Sequence, residues 1–326
     1  MSKLRATILT GFLGAGKTTL LNHLLLDGSN ERIAIIVNEY GQIGIDGKLV
    51  VETQDEVIEL NNGCICCTVR SDLIGAIGDL LRSDRQIDRI IVETSGLADP
   101  APVIQSFILD DVLAKNVVLD AIVTVVDARH IGDQLQNSHE AVEQITFADV
   151  LLLNKTDLES GEALDAVERK VRRLNPLAKI IRTKDCNVAR SDVLDVGAFD
   201  LQQILNVEPN LLEEDHDHEH DQSVGCIAIQ TATPSEPIAL NAWFNKLVQL
   251  IGKDLFRMKG VIAFRGEKRR FVFHGVHMTL EGRPGRPWGE GEHPFSEIVF
   301  IGRNLDEQAI RSGFAACLSG EEALAS

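Results

Sequence analysis

A short apolar run, a glycine-rich turn and a helical stretch follow one another at the start of the chain. The run covers residues 6–10, and the turn at residues 11–18 reads Gly-Phe-Leu-Gly-Ala-Gly-Lys-Thr. This order matches the G-x-x-x-x-G-K-[ST] pattern, in which a strand leads into a phosphate-binding loop and then a helix. Because such loops lie at the carboxyl ends of parallel strands, the turn restricts the amino-terminal part to the α/β class.

Apolar runs continue to alternate with helical stretches over the first two hundred residues. Further strands are predicted at 33–38, 57–60, 89–93, 121–127, 149–154 and 179–182, and helices at 17–26, 68–82, 103–113 and 162–174. Strands that are apolar throughout and separated by helices are typical of a parallel sheet that is covered on both faces. We therefore expect an α/β domain with a mostly parallel sheet covered by helices.

The composition changes near residue 206. Residues 206–224 are acidic and contain histidines, which predicts a surface linker, and different patterning follows. Strands are predicted at 225–231, 260–264, 270–276 and 297–301, helices at 238–250 and 306–318, and an extended loop at 282–294. The sequence thus predicts a domain over 1–205, a linker over 206–224 and a smaller carboxyl-terminal α+β domain over 225–326.

Charge and composition exclude several classes of protein. The net charge is −17, from 49 acidic and 32 basic side chains, which disfavours nucleic-acid binding. No apolar run approaches the roughly twenty residues that a membrane span requires. The first ten residues run directly into the phosphate loop, which leaves no room for an export signal. With six cysteines, we expect a cytoplasmic protein whose thiols stay reduced.

The phosphate loop predicts a nucleotide site. Glycines let successive backbone N–H groups point at the phosphates, while Lys17 contacts the β- and γ-phosphate oxygens and the Thr18 hydroxyl binds Mg²⁺. The predicted nucleotide-binding residues of the loop are Gly11, Gly14, Ala15, Gly16, Lys17, Thr18 and Thr19.

The base is predicted from Asn154, Lys155 and Asp157, which directly follow an apolar strand. A carboxylate at Asp157 can accept hydrogen bonds from both the N1–H and the exocyclic amine of guanine. Adenine would leave that carboxylate unpaired, which makes the discrimination strong. We therefore predict GTP and GDP as ligands, and a P-loop GTPase domain.

A third segment, residues 90–100, ends a strand at Glu93 and continues through a glycine at Gly96. The glycine allows the chain to pass close to the γ-phosphate. Glu93 is a candidate catalytic residue together with Lys17, since it can orient the Mg²⁺ shell or the attacking water. It is alternatively a solvated residue at a strand end.

Three cysteines in four positions, Cys64, Cys66 and Cys67, indicate a metal site. Two or three thiolates with one oxygen or nitrogen ligand suit Zn²⁺ and also accept Co²⁺ or Ni²⁺. The preceding turn residues 61–63 could bring the sulfurs together. An incomplete ligand set suits metal delivery better than a structural role. A reactive redox cysteine or a packed cluster is the alternative.

Other candidate ligands are less specific. Glu39 is the best oxygen ligand for the metal, and it is equally a candidate for serving Mg²⁺ or a nucleotide switch, for which Asp46 is a weaker candidate. The tract at residues 216–220 alternates three histidines with acidic residues, as in sequences that bind divalent metals weakly. It is either a metal-loading arm or a polar linker.

These motifs resemble the CobW family of P-loop GTPases, which are related to the HypB and UreG nickel-insertion GTPases. The resemblance rests on the motifs at residues 11–19, 38–41, 62–67, 93–100 and 154–157, and on segments 258–260, 273–277 and 298–303 of the second half. It implies a GTP-dependent metallochaperone, commonly for zinc or cobalt, in which Cys66 and Cys67, with Cys64, hold the transferred ion.

The expected function is therefore GTP hydrolysis coupled to metal delivery to a client metalloprotein, by a monomer or weak homodimer. In this hypothesis GTP and Mg²⁺ order the loops around residues 39–46 and 64–67, and hydrolysis releases the metal. The main alternative is a regulatory GTPase whose cysteines form a structural or redox clip. A third hypothesis is that the protein is a small-molecule kinase, which the guanine motif disfavours.

Overall fold

The structure is a computed structural model that describes residues 3–27, 29, 31–40, 56–62, 67–83, 86–198 and 224–318. Of residues 38–40, 56–62 and 67–69 it describes the backbone. Contacts divide the chain into two compact units, Met1–Phe199 and Asp200–Ser326. The predicted boundaries 1–205, 206–224 and 225–326 remain a prediction, because residues 199–223 lie outside the described residues.

The first unit contains a seven-stranded sheet in which every neighbouring pair is parallel. Its spatial order is β3-β2-β4-β1-β5-β6-β7. The strands are β1 (Leu4–Thr10), β2 (Ile33–Tyr40), β3 (Glu56–Asn62), β4 (Arg89–Thr94), β5 (Val117–Asp127), β6 (Val150–Asn154) and β7 (Lys179–Arg182). Each one contains or nearly coincides with an apolar run predicted as a strand, so the parallel sheet was predictable from those runs.

Helices connect these strands. They are α1 (Lys17–Leu26), α2 (Cys67–Arg82), α3 (Ala101–Leu109), α4 (Asp111–Asn116), α5 (Ile131–Asn137), α6 (His139–Phe147) and α7 (Gly161–Leu174). Apolar side chains of α1 pack on one group of strand residues and those of α5, α6 and α7 on another. The predicted class, an α/β fold with a parallel sheet covered by helices, is confirmed.

The helix predicted over 103–113 is wrong in its continuity. The chain forms α3 and α4 instead, which are separated at Asp110. Asp110 has an extended backbone, and its side chain accepts hydrogen bonds from the backbone N–H groups of Val112 and Leu113. This is the geometry of a helix N-cap, which ends the first helix and starts the second. The periodicity of apolar residues continues across the break and concealed it.

The second unit is a five-stranded antiparallel sheet with two helices. Its strands are β8 (Val224–Thr231), β9 (Leu255–Ile262), β10 (Arg269–Val276), β11 (Thr279–Pro287) and β12 (Ser296–Arg303), in the order β11-β10-β9-β12-β8. Helices α8 (Pro237–Ile251) and α9 (Glu307–Ala315) share a core with the strands, which includes Phe244, Phe300 and Phe314. The predicted α+β domain is confirmed.

The extended loop predicted over 282–294 is wrong in its first part. Residues 282–287 belong to β11, which pairs with β10 in antiparallel fashion. The two prolines, Pro284 and Pro287, are compatible with a strand here because β11 lies at the edge of the sheet. Within the described residues, no helix is long and apolar enough to span a membrane.

Candidate functional site

The phosphate loop follows the carboxyl end of β1 and has a backbone conformation that requires its glycines. Gly11, Gly14 and Gly16 have φ angles of 137°, 72° and 118°, a region that other residues rarely adopt. A β-carbon on Gly11 would lie 2.2 Å from the carbonyl oxygen of Val125. The loop is therefore held against β5, with no space for a side chain at its first glycine.

Lys17, the first residue of α1, turns back onto this loop. Its Nζ donates a hydrogen bond to the Gly11 carbonyl oxygen at 2.9 Å and lies 3.5 Å from that of Phe12. The side chain is 9% exposed. Thr18 and Thr19 follow in the first turn of the helix, half-buried and exposed respectively. The predicted phosphate-binding side chains thus lie together at one helix N-terminus, whose dipole favours anions.

Asn154, at the end of β6, connects the phosphate loop to the segment that follows β7. Its Nδ2 donates to the Ala15 carbonyl oxygen at 2.9 Å, and its Oδ1 accepts from the backbone N–H of Cys186 at 2.9 Å. A β-carbon on Gly16 would lie 2.6 Å from the same Nδ2. The buried amide therefore fixes the spacing between two loops that flank the predicted base site.

Lys155 is held by a buried carboxylate at the end of β5. Its backbone is left-handed, with φ of 60°, and its Nζ lies 2.7 Å from Oδ2 of Asp127. Asp127 is 3% exposed and also lies 3.1 Å from Nδ1 of His130. Burial acts to raise the pKa of Asp127, but the hydrogen bonds from Lys155 and His130 outweigh it and hold the pKa below its usual value.

Asp157 lies in a short 3-10 helix, Thr156–Leu158, directly after Lys155. Its Oδ2 is 3.6 Å from Nζ of Lys184, and 39% of the side chain is exposed. An ion pair this open to solvent contributes little free energy. The carboxylate can therefore exchange that lysine for hydrogen bonds from a base.

The segment between Thr183 and Asn187 is a part of the site that the sequence did not indicate. Asp185 and Cys186 both have left-handed backbones, with φ of 51° and 54°. The Cys186 Sγ donates to the Gly16 carbonyl oxygen at 3.3 Å. Burial raises the pKa of this thiol to about 12, so at neutral pH it is a hydrogen-bond donor and not a thiolate.

The segment that begins at Glu93 lies directly on the phosphate loop. Glu93 is 3% exposed and stands in register between Leu9 of β1 and Val37 of β2. The next residue, Thr94, donates from Oγ1 to Oγ1 of Thr10 at 2.8 Å. A β-carbon on Gly96 would lie 2.7 Å from the backbone nitrogen of Leu13. Only a glycine at this position allows the two backbones to approach so closely.

The predicted metal ligands are only partly covered by the structure. Cys64 and Cys66 lie outside the described residues, as do Asp46 and the tract at 216–220. Cys67 is the first residue of α2, and the backbone of Glu39 pairs in register with that of Asn61 in β3. No group of three or more metal-binding side chains occurs within the part of the chain that the structure describes.

Three residues of the site were missed, namely Asp127, Cys186 and Gln144, whose side-chain amide donates to the Gly96 carbonyl oxygen. Asp127 ends an apolar strand, as Glu93 does, so its position after residues 121–126 was a usable signal. Gln144 lies in a helix that was not predicted, and Cys186 follows a strand without any motif. Neither pattern distinguishes these two residues from ordinary surface or core positions.

Two family models together match most of the chain. The model described as CobW/HypB/UreG, nucleotide-binding domain, matches residues 5–182. The model described as cobalamin synthesis protein cobW C-terminal domain matches residues 224–318. These ranges contain the two sheets described above.

Curated relatives are similar over most of their length. The zinc chaperone YjiA of Escherichia coli is 34% identical, over 97% of this chain and 99% of that protein. The zinc-regulated GTPase metalloprotein activator 1 of Schizosaccharomyces pombe is 35% identical, over 92% of this chain and 82% of that protein.

Solved structures show similarity to the same relative, YjiA. The crystal structure of Zn(II)-bound YjiA GTPase from E. coli is 28% identical, covers 98% of this chain and 100% of its own, and has a TM-score of 0.78. A Zn(II)-bound triple mutant of that GTPase, in which one glutamate and two cysteines are replaced by alanine, has the same coverage and TM-score.

Proposed function

Because this chain belongs to the CobW/HypB/UreG family of nucleotide-binding proteins, we propose that it is a GTP-dependent metallochaperone. It binds zinc, or cobalt in place of zinc, and transfers the ion to a client metalloprotein when GTP is hydrolysed to GDP and phosphate. Relatives named zinc chaperone and zinc-regulated GTPase metalloprotein activator support zinc as the cargo.

The observation that carries the proposal is that β1, which precedes the phosphate loop, and β3, which precedes the cysteine motif, are parallel strands of one sheet. The phosphate loop follows β1, and the cysteine motif lies in sequence between the end of β3 and Cys67 at the start of α2. Only β4 and β2 separate β1 from β3. Since neighbouring strands lie about 4.8 Å apart, Glu39 in β2 is about two strand spacings from the phosphate loop. A change at one motif can thus act on the other over a short distance.

The geometry supports guanine nucleotide as the ligand. Asn154 fixes the loops, Lys155 is held by Asp127, and the exposed Asp157 carboxylate follows them in the chain. An ionised carboxylate only accepts hydrogen bonds, so Asp157 would accept from both donors of guanine. We also propose that the phosphates and their Mg²⁺ are bound by the loop residues Gly11, Gly14, Ala15, Gly16, Lys17, Thr18 and Thr19.

The residues also fit Mg²⁺, which prefers hard oxygen ligands and phosphate oxygens. The Thr18 hydroxyl, in the first turn of α1, would hold the ion, and the buried Glu93 carboxylate would orient its shell or the attacking water. The ion supplies charge neutralisation at the phosphates. Lys17 adds a positive charge on the same side of the loop and stabilises the charge that develops during phosphoryl transfer.

We further propose that the client is a metalloprotein and that the protein acts in the cytoplasm as a monomer or weak homodimer. The net charge of −17 supports a partner that is neither nucleic acid nor an anionic membrane surface. Thiolate ligands at Cys64, Cys66 and Cys67, with Glu39 as a candidate oxygen ligand, would hold the cargo ion.

The proposal is tested by titrating Co²⁺ into the full-length protein in the presence of Mg²⁺. The visible spectrum is recorded with a non-hydrolysable GTP analogue and then with GDP, and Zn²⁺ is added as a competitor. We expect tetrahedral thiolate binding at least a hundredfold tighter with the analogue, which corresponds to a coupling free energy of about 2.7 kcal/mol. Equal or absent binding in both states contradicts the proposal and favours the regulatory GTPase with a cysteine clip.

Asp127 gives a further prediction about the base site. Replacing Asp127 by asparagine should weaken GTP and GDP binding about tenfold each, because Lys155 loses a charged hydrogen-bond partner worth about 1.5–3 kcal/mol. The lowered pKa keeps Asp127 ionised at neutral pH, so in the wild type its pairing with Lys155 is lost only as the pH falls through that lowered pKa.

Isothermal titration calorimetry with both nucleotides at pH 7 measures this effect. Asp133→Asn is the matched control, since Asp133 is exposed on the neighbouring helix α5. Affinities of Asp127→Asn within twofold of the wild type would show that Asp127 does not position Lys155 for the nucleotide.

A further inference from the structure

Gln144 of α6 holds the segment that follows Glu93. Its side chain is 1% exposed. Its Nε2 donates one hydrogen bond to the Gly96 carbonyl oxygen and another to that of Ala98, both at 3.1 Å. A side-chain amide nitrogen has two hydrogens, so both donors of Gln144 are used on this single turn of backbone.

The position of Gln144 is itself fixed by the sheet. Thr124, inside β5, donates from Oγ1 to the Gln144 backbone carbonyl oxygen at 2.7 Å. The buried Asn175 donates from Nδ2 to carbonyl oxygens at the end of the same helix, including that of Ala148 at 2.9 Å. The amide of Gln144 therefore extends from a helix end that is anchored at two points.

The turn that Gln144 holds contacts the phosphate loop. The backbone N–H of Ala98 donates to the Ser95 carbonyl oxygen at 3.0 Å, which closes residues 95–98 into a turn. At Gly96 this turn lies so close to Leu13 that a β-carbon would be 2.7 Å from the Leu13 nitrogen. The turn thus borders the phosphate loop on the side reached from β4, the strand that ends in Glu93 and Thr94.

We propose that Gln144 is a positioning residue for GTP hydrolysis. It holds the 95–98 turn against the phosphate loop, so that the backbone around Gly96 is already in place for the γ-phosphate. Without the amide, GTP would have to order this turn on binding, at a cost in affinity and in alignment of the reacting groups. GDP has no γ-phosphate, so its binding does not require this turn to be ordered. This inference rests on the proposed GTPase function and assigns a further residue to it.

Gln144→Met tests the proposal, because methionine matches glutamine in length and volume but donates no hydrogen bond. We expect a fall in kcat for GTP hydrolysis of at least about tenfold. We also expect weaker binding of a non-hydrolysable GTP analogue, with GDP affinity within twofold of the wild type. A purely structural role would change the binding of both nucleotides together. Gln144→Leu, which has a similar volume and no donor, should give the same pattern if the methionine variant does not fold.

Thr146→Val is the matched control. Thr146 is fully buried in the same helix, and its Oγ1 donates to the Glu143 carbonyl oxygen at 3.0 Å, away from the turn. It should keep the wild-type ratio of GTP-analogue to GDP affinity. Equal loss of both affinities in the Gln144 variants, or wild-type hydrolysis in them, would overturn the inference while leaving the proposed function standing. A wild-type protein that binds both nucleotides but hydrolyses no GTP would overturn the proposed function, and the ratio of affinities would still decide the role of Gln144 in holding the turn.

Discussion

Asp157→Asn is expected to change the preferred base from guanine to xanthine. The wild-type carboxylate accepts from two donors of guanine, the N1–H and the exocyclic amine. An asparagine amide has one acceptor and one donor, so it matches xanthine, which keeps the N1–H but carries a carbonyl oxygen in place of the amine. The variant still accepts from the N1–H of guanine, but it loses the charge-assisted hydrogen bond from the exocyclic amine, which contributes about 1.5–3 kcal/mol, and its own amide N–H group faces that amine. GTP binding should therefore weaken about a hundredfold.

The measurement is steady-state hydrolysis of GTP and of xanthosine triphosphate (XTP) by the wild type and by the variant. The value of kcat/KM is compared for each combination of protein and nucleotide. Lys155 and Asn154 are untouched, so XTP should be hydrolysed by the variant at a rate near that of GTP in the wild type. The control is Asp165→Asn, because Asp165 is an exposed surface residue paired with Arg182. GTP hydrolysis by Asp157→Asn at the wild-type kcat/KM would refute the assignment of Asp157 to the base.

Cys66→Ser/Cys67→Ser is expected to abolish the response of GTP binding to zinc. Serine hydroxyls are poor ligands for zinc compared with thiolates, so we expect the zinc affinity measured with the GTP analogue to fall at least about a hundredfold. If zinc and GTP strengthen each other's binding, the two effects must be equal in size. The affinity for the GTP analogue should therefore rise with zinc in the wild type and stay constant in the variant.

Calorimetric titration of the analogue at several zinc concentrations measures both quantities. Cys226→Ser is the control, since Cys226 lies in β8 of the second unit and burial raises its thiol pKa to about 12. If the double variant binds the analogue in the presence of zinc as tightly as the wild type does, the cysteines are not coupled to the nucleotide.

The sheet of the first unit was predictable because a fully buried parallel strand leaves a continuous apolar run. The run at 149–154, for example, corresponds to β6, in which all five residues are buried. The break at Asp110 was not predictable from periodicity, since a helix cap is a local hydrogen-bonding event inside an otherwise continuous pattern. Residues 282–287 of β11 were predicted as a loop because the segment is rich in glycine and proline, and only the sheet order shows that β11 is an edge strand, where proline is tolerated.

The site likewise contains residues that were predictable from the sequence and contacts that were not. Lys17 could be identified because a phosphate loop is a contiguous motif, and Asp157 because it follows an apolar strand in a recognisable tetrapeptide. Asp127 and Lys155 are 28 positions apart in the chain, and Gln144 and Gly96 are 48 apart. Such pairs are created by the order of strands in the sheet. No local pattern records which residues form a pair, so these pairings became visible only with the fold.

The hydrogen bond between Cys186 and Gly16 joins positions 170 residues apart, which has a consequence during synthesis. Ribosomes add about 5–20 residues per second, so the phosphate loop is made on the order of 10–30 seconds before the segment that completes its surroundings. Until residue 154 is made, a nascent chain lacks both Asn154 and Cys186, and from then until residue 186 is made it still lacks Cys186. The growing polypeptide therefore cannot hold guanine nucleotide in a finished site, and nucleotide-dependent metal capture is confined to molecules whose first unit has been fully translated.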